Sequence, residues 1–326
     1  MSICRIIVAA LAALIAATPS ALAQSWPVSA LTLVVPFAAG GPMDAIGRIM
    51  TPRVAELLGQ PIVVENVGGA GGMSGAMRVA KAAPDGYQFV LGNIGTHAEN
   101  QTLYKHPLYD AANDFAPVAL IAETPLVLIA RNDLPADDLP QFISYARPNQ
   151  AGMQFGSGGA GSATHIACAL LNAAIGIGPT HVPYRGGAPA LQDLIAGRID
   201  YMCLDTPLAI AQIEAHTVKA IAILTRGRSP SLPALASAHE QGLKDFEASN
   251  WCGFFLPKGT PAAIVQRLHD ATVAAMGTPA VQAQLQRIGA TVVTPERRSS
   301  AYLQDFVEHE IARWAAPIKA SGVSLD

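Results

Sequence analysis

The chain has 326 residues, 51% hydrophobic and 14% charged, with 21 Lys and Arg against 24 Asp and Glu and a net charge of −3. That length suffices for two domains of roughly 150 residues each. A weakly acidic chain without clustered basic residues carries no nucleic-acid footprint, and no stretch approaches the ~18 uninterrupted apolar residues of a membrane-spanning helix. Any anion it binds must be held by locally aimed dipoles, because the overall field has the wrong sign.

Residues 1–23 read as a secretory signal peptide: Arg5, an apolar run over 6–17, then Pro19 and the small-residue signal Ala21-Leu-Ala23 before Gln24. Cys4 lies inside that segment, not behind its cleavage site, so a free periplasmic protein is expected. Next comes Leu33-Val-Val-Pro-Phe-Ala-Ala-Gly-Gly-Pro-Met-Asp-Ala-Ile-Gly-Arg48, an apolar strand run, a glycine turn and a helix start. The first helical N–H groups have no intrahelical partner, and the helix dipole adds positive charge there, so such a turn holds an anion without Lys or Arg. Phe37, Ala39, Gly40 and Met43 are its candidate ligand contacts. Asp44 contacts the ligand or caps the helix, and capping is the stronger reading, because a carboxylate here would repel a substrate carboxylate. Pro52 removes one helical hydrogen bond and is expected to kink or split the helix.

Short apolar runs at 31–37, 62–65, 88–92, 118–122 and 126–130 alternate with helix-like stretches, and further runs follow at 153–156, 180–184, 201–204, 220–225 and 253–256. Continuous runs of this length fit strands buried on both faces of a mostly parallel sheet, so the class is α/β. Pro84-Asp-Gly86 supplies turn chemistry, and the glycines at 68–75 fit a close turn between strand and helix. Asn93, Thr96 and His97 follow the strand ending at Gly92 and offer neutral donors at the same edge.

A second cradle of the same design is Phe155-Gly-Ser-Gly-Gly-Ala-Gly-Ser-Ala-Thr-His165. Its candidate contacts are Ser157, Gly159, Ala160, Gly161, Ser162, Ala163, Thr164 and His165. Asp205 ends a strand where α/β folds place site residues. The C-terminal third turns helical at 261–276, 279–288 and 299–320. Val35-Pro-Phe37 before Gly40-Gly-Pro42 is echoed by Val182-Pro-Tyr184 before Gly186-Gly-Ala-Pro189, which points to two similarly built lobes.

Gly156, Gly158 and Gly161 satisfy G-x-G-x-x-G, but no acidic residue lies between Asp138 and Asp193 to hold a ribose, so dinucleotide binding is not expected. No cofactor is implied. Ser74 in Gly72-Met-Ser-Gly75 lacks the final glycine of a nucleophile elbow, since Ala76 stands there. Ser162 and His165 fit a helix cap better than a catalytic pair. His97, His165, His181 and His216 lack metal-ligand spacing. Cys168, Cys203 and Cys252 allow at most one disulfide, and spacing does not choose the pair.

The ordered motifs resemble the Bug-type periplasmic substrate-binding receptors of tripartite tricarboxylate transporters. They include Val35-Pro-Phe-Ala-Ala-Gly-Gly-Pro-Met-Asp44, Gly59-Gln-Pro-Ile-Val-Val-Glu-Asn66, Gly69-Ala-Gly-Gly72 and Pro84-Asp-Gly-Tyr87. Asp114-Phe-Ala-Pro-Val118, Gly158-Gly-Ala-Gly-Ser162, His181-Val-Pro-Tyr-Arg-Gly186, Asp193-Leu-Ile-Ala-Gly197 and Trp251-Cys-Gly-Phe254 follow. The resemblance implies a two-lobed Venus-flytrap binding protein, with 24–125 plus 252–326 as one lobe and 126–251 as the other. It further implies a small organic carboxylate held between turns 37–44 and 157–165, a membrane permease as partner, and a monomer without enzymatic activity. The family often has Ser or Thr where this chain has Met43, which favours a ligand with an apolar or aromatic body. The competing readings are a secreted α/β hydrolase using Ser162 or Ser74, and a periplasmic sensor closing on the same ligand.

Overall fold

A computed structural model describes residues 26–244, 246–320 and 323–326. The signal-peptide reading of 1–23 falls outside them. In the first sheet, β1 (Leu31–Val35) lies between β2 (Ile62–Asn66) and β3 (Gln88–Asn93), parallel to both. Leu31, Leu33, Val34 and Val35 are fully buried, as a central strand covered on both faces requires.

Helix α1 (Pro42–Leu58) has Gly41 at its N-cap, Pro42 at its first position and Gly59 in the left-handed conformation at its end, the usual placing of Pro at a helix start and Gly past its end. Pro52, where the sequence predicts a kink or a split, does not split it: the helix is one element from Pro42 to Leu58. Met50 and Val54 on either side are fully buried, and that packing offsets the bond Pro52 cannot donate to Arg48 O.

The runs at 118–122 and 126–130 form one strand, β4 (Phe115–Ala130), not two. Up to Pro125 it pairs with β9 (Ser249–Pro257); from Leu126 its partners are β7 (Tyr201–Asp205) and β8 (Lys219–Ile223). Pro125 therefore puts its missing N–H where the ladder changes partner, so a strand-breaking residue costs little.

The first lobe completes its sheet with β3, β9 and β4 antiparallel and with β10 (Thr291–Val292) on β4. In the second, β5 (Gln154–Ser157) joins β6 (Thr180–Pro183) to β7, parallel to both. The chain passes from the first sheet to the second at Pro125–Leu126 and returns at Ala248–Ser249, where Leu126 N–H donates to Ala248 O. One apolar core fills the first lobe, and two flank the second sheet.

Cys168 of α5 (Ala163–Ile175) is disulfide-bonded to Cys203 of β7, while Cys252 is a free, buried thiol whose pKa burial pushes up to about 12. Among the described residues no helix is long and apolar enough to cross a membrane.

Candidate ligand-binding cleft

Four helices start at one place between the lobes: α1, α5, α6 (Gly187–Ile195) and α7 (Thr206–Glu214). Between their ends lies a cavity of about 20 Å³. The first lobe lines it with Phe37, Pro42, Met43 and Asn93, the second with Gly158, Ser162, Ala163, Thr164, Gly187 and Asp205, and β9 adds Asn250. No Lys or Arg lines it, and the source of positive potential there is the converging helix N-termini.

Of the candidates named from the sequence, Phe37, Met43, Asn93, Ser162, Ala163, Thr164 and Asp205 line this cavity. Pro42 and Gly158 lie within the turns 37–44 and 157–165 without being named singly, and Gly187 and Asn250 were not among the sequence candidates. The signal for Gly187 was present: it belongs to the echo segment Gly186-Gly-Ala-Pro189 and opens α6 as Pro42 opens α1. Asn250 gave none, because it precedes the apolar run that marks its strand.

Asp44 does not line the cavity. Its carboxylate accepts from Gly40 N–H at 2.9 Å, from Arg48 Nε at 2.9 Å and from Asn66 Nδ2 at 3.0 Å, and Asn66 also donates to Phe37 O. Burial works against its charge, but Arg48, the Gly40 N–H and Asn66 hold its carboxyl below the usual range. Asp44 fastens the first turn to β2. Ala39 and Gly40 are exposed on the outer side of that turn.

Thr96 and His97 also turn away, inside a π-helical turn over Gly95–Glu99. The Thr96 hydroxyl is 3.1 Å from Asn93 Oδ1 and 2.9 Å from His97 Nδ1, and the His97 ring stacks on Phe255 with centroids 3.9 Å apart. Burial pushes His97 down to about 3, so it is a neutral core ring. Thr96 acts indirectly, donating its N–H to Asn93 Oδ1 and so orienting a residue that does line the cavity.

Ser157, Gly159, Ala160, Gly161 and His165 shape the second turn without lining the cavity. Ser157 Oγ is 2.7 Å from His181 Nε2 and accepts from Gly159 N–H, and Gly161 N–H donates to His165 Nδ1 at 3.2 Å. The two imidazoles stack 4.0 Å apart. Ser162 caps α5, accepting from His165 N–H, and Thr164 Oγ1 accepts from Gly158 N–H. With its hydroxyl spent on the cap and beside Thr164, Ser162 has no histidine acting as base. The Ser157 and His181 contact is folded under the turn, with Ser157 fully buried.

The second turn fits into the first lobe at van der Waals contact. Tyr104 OH donates to Ala160 O at 3.0 Å, and Ala38 N–H donates to Arg185 O at 3.1 Å. A Cβ at Gly71 would lie 2.4 Å from Ala160 O, and one at Gly95 3.0 Å from Ala163 N. At Gly71 only glycine allows this approach, and at Gly95 a side chain would press on the backbone of Ala163. Asp205, in the second sheet, accepts from Thr124 Oγ1 at 3.1 Å and from Asn250 Nδ2 at 2.7 Å, so it ties β7 to β4 and β9 where the two sheets meet. Burial pushes its carboxyl above the usual range, partly opposed by those two donors. Glu99 behind it is pushed well up by burial and by the nearby Glu310 and Asp205. Among the described residues no cluster of three or more His, Cys, Asp or Glu could hold a metal ion.

Comparison with known proteins agrees with this architecture. The profile of the tripartite tricarboxylate transporter family receptor matches residues 46–323. MatC from Rhodopseudomonas palustris, solved with bound malate, is 41% identical with a TM-score of 0.88, over 90% of this chain and 100% of that one. The periplasmic binding protein BugD is 36% identical with a TM-score of 0.89, over 92% and 99%. An R. palustris protein solved with adipate is 36% identical with a TM-score of 0.87, over 92% and 99%. Two lobes meeting at a cleft of helix N-termini, with a family match over most of the chain, identify it as a member of the tripartite tricarboxylate transporter receptor family, the Bug-type periplasmic solute receptors.

Proposed function

We propose that this receptor binds a small organic carboxylate between its lobes, the first made of 24–125 plus 252–326 and the second of 126–251, and delivers it to a membrane permease. The observation that carries this is the convergence of four helix N-termini on a cavity without Lys or Arg. Hydrogen bonds to a charged group contribute roughly 1.5–3 kcal/mol each. Three or four cover much of the ~8 kcal/mol behind a micromolar dissociation constant, before ordering costs. Neutral donors suit a receptor that must release its cargo.

At about 20 Å³ the cavity is the size of a single water. A carboxylate with a body enters when the lobes part and Met43 swings aside, and the body then rests on Phe37 and Met43. The protein works as an exported monomer without catalysis; Ser162 as helix cap and the buried Ser157 support that reading over a hydrolase. The malate and adipate complexes of its relatives support aliphatic diacids as first candidates. A thermal-shift screen of mono-, di- and aromatic carboxylates, with calorimetry on hits, tests it. Stabilisation by carboxylates alone is expected; stabilisation by a sugar or amine and by no carboxylate refutes the reading.

A further inference from the structure

Donors and acceptors are segregated around the cavity. One side consists of the starts of α1, α5 and α6, which present N–H groups. The other side holds Asp205 and Asn250, which both line the cavity. Asp205 Oδ1 accepts from Thr124 Oγ1 and Asn250 Nδ2. With Nδ2 committed to that carboxylate, Asn250 is left with its carbonyl Oδ1, which is buried without a protein hydrogen-bond partner in a side chain 3% exposed. A buried carbonyl without a partner is costly, and native structures satisfy nearly all of them. No cationic side chain lines the cavity to neutralise Asp205. An unsubstituted diacid carries only acceptors when ionised. It would satisfy the helix starts, leave Asn250 Oδ1 unpaired and bring a second negative charge towards Asp205.

We propose that the ligand carries an O–H or N–H donor beside its carboxylate, received by Asn250 Oδ1 with Asp205 behind it, so that the substrate class is a 2-hydroxy or 2-amino carboxylate. The proposal rests on the carboxylate reading above and narrows it. A site built to hydrogen-bond a substrate hydroxyl or amine rejects the analogue lacking it more strongly than an apolar pocket rejects a missing methylene, because its own buried group is left unpaired.

Calorimetry on the wild-type protein with matched ligands tests it: propionate against lactate, succinate against malate and aspartate, glutarate against 2-hydroxyglutarate. The substituted member of each binding pair should bind at least about tenfold more tightly. Aspartate above malate assigns the donor as an ammonium paired with ionised Asp205, and Asp205→Asn should then remove that preference; malate above aspartate assigns it as a hydroxyl. Asn250→Leu should shrink the ratio within each pair towards one, and the wild-type ratios decide the matter if that variant does not fold. Equal binding of succinate and malate overturns the proposal and leaves the carboxylate reading standing. Binding of none of these acids overturns both.

Discussion

At the scale of single residues, the cavity is shaped by side chains that do not line it as much as by those that do. Ser162 lines the cavity and caps α5, so Ser162→Ala should cost about 1 kcal/mol of stability and weaken carboxylate binding. Urea unfolding and calorimetry on one preparation measure both, and unchanged affinity would remove Ser162 from the site. The imidazoles govern the acid response. Burial pushes His97 and His165 down to about 3, His165 with a contribution from the facing His181, and pushes His181 down to about 4. Between pH 4 and 6.5 these rings stay neutral when folded and take up protons when unfolded, so the stability they support above pH 6.5 is lost as pH falls. Glu99 and Asp205, pushed up by burial, act in the opposite sense, losing stability as pH rises. His165→Gln removes one of these imidazole contributions, so the change in its urea midpoint from pH 6.5 to 4 should be less destabilising than in the wild type. A variant curve parallel to the wild type would contradict the assignment.

At the scale of elements, closure brings backbone against backbone. Gly95 lies in the π-helical turn at ordinary φ, and its missing side chain leaves room for the start of α5. Gly95→Val should hold the lobes apart, weakening binding at least about tenfold while moving the melting temperature by only a few degrees. A variant that binds normally would show that the lobes need not approach this closely. The Cys168–Cys203 bond joins α5, which presents Ala163 and Thr164, to β7, which ends at Asp205. Replacing both cysteines by alanine should cost about 2–4 kcal/mol in urea unfolding. A loss below 1 kcal/mol would assign these residues to packing alone.

At the scale of the whole molecule, the chain joins its two sheets within β4 and at the start of β9, and Asp205 reaches one donor on each strand. The second turn, with Ala160 O received by Tyr104, packs against the first lobe in this closed arrangement. Ligand binding should therefore compact the protein, and X-ray scattering should show a smaller radius of gyration at saturation. An unchanged radius would mean that the lobes stand this close without ligand and that cargo enters by another route.

The alternation of short apolar runs with helix signals determined the α/β class, and the two glycine turns determined where backbone N–H groups are left free to meet an anion. Local chemistry sets both: a glycine turn before a helix start exposes N–H groups wherever it occurs. The Gly186-Gly-Ala-Pro189 echo marked a third helix start of the same kind. Tertiary structure alone decided which face of each turn meets the cavity. Asp44, Thr96, His97 and His165 carry the side chains of a binding site, yet each is taken up by a nearer partner, Arg48, Asn93, Phe255 and Gly161 respectively. It also decided the position of Asn250, brought beside Asp205 by the pairing of β4 with β9 and with β7. No local pattern encodes which strands of two lobes cross side by side, because that depends on contacts between residues far apart in the chain.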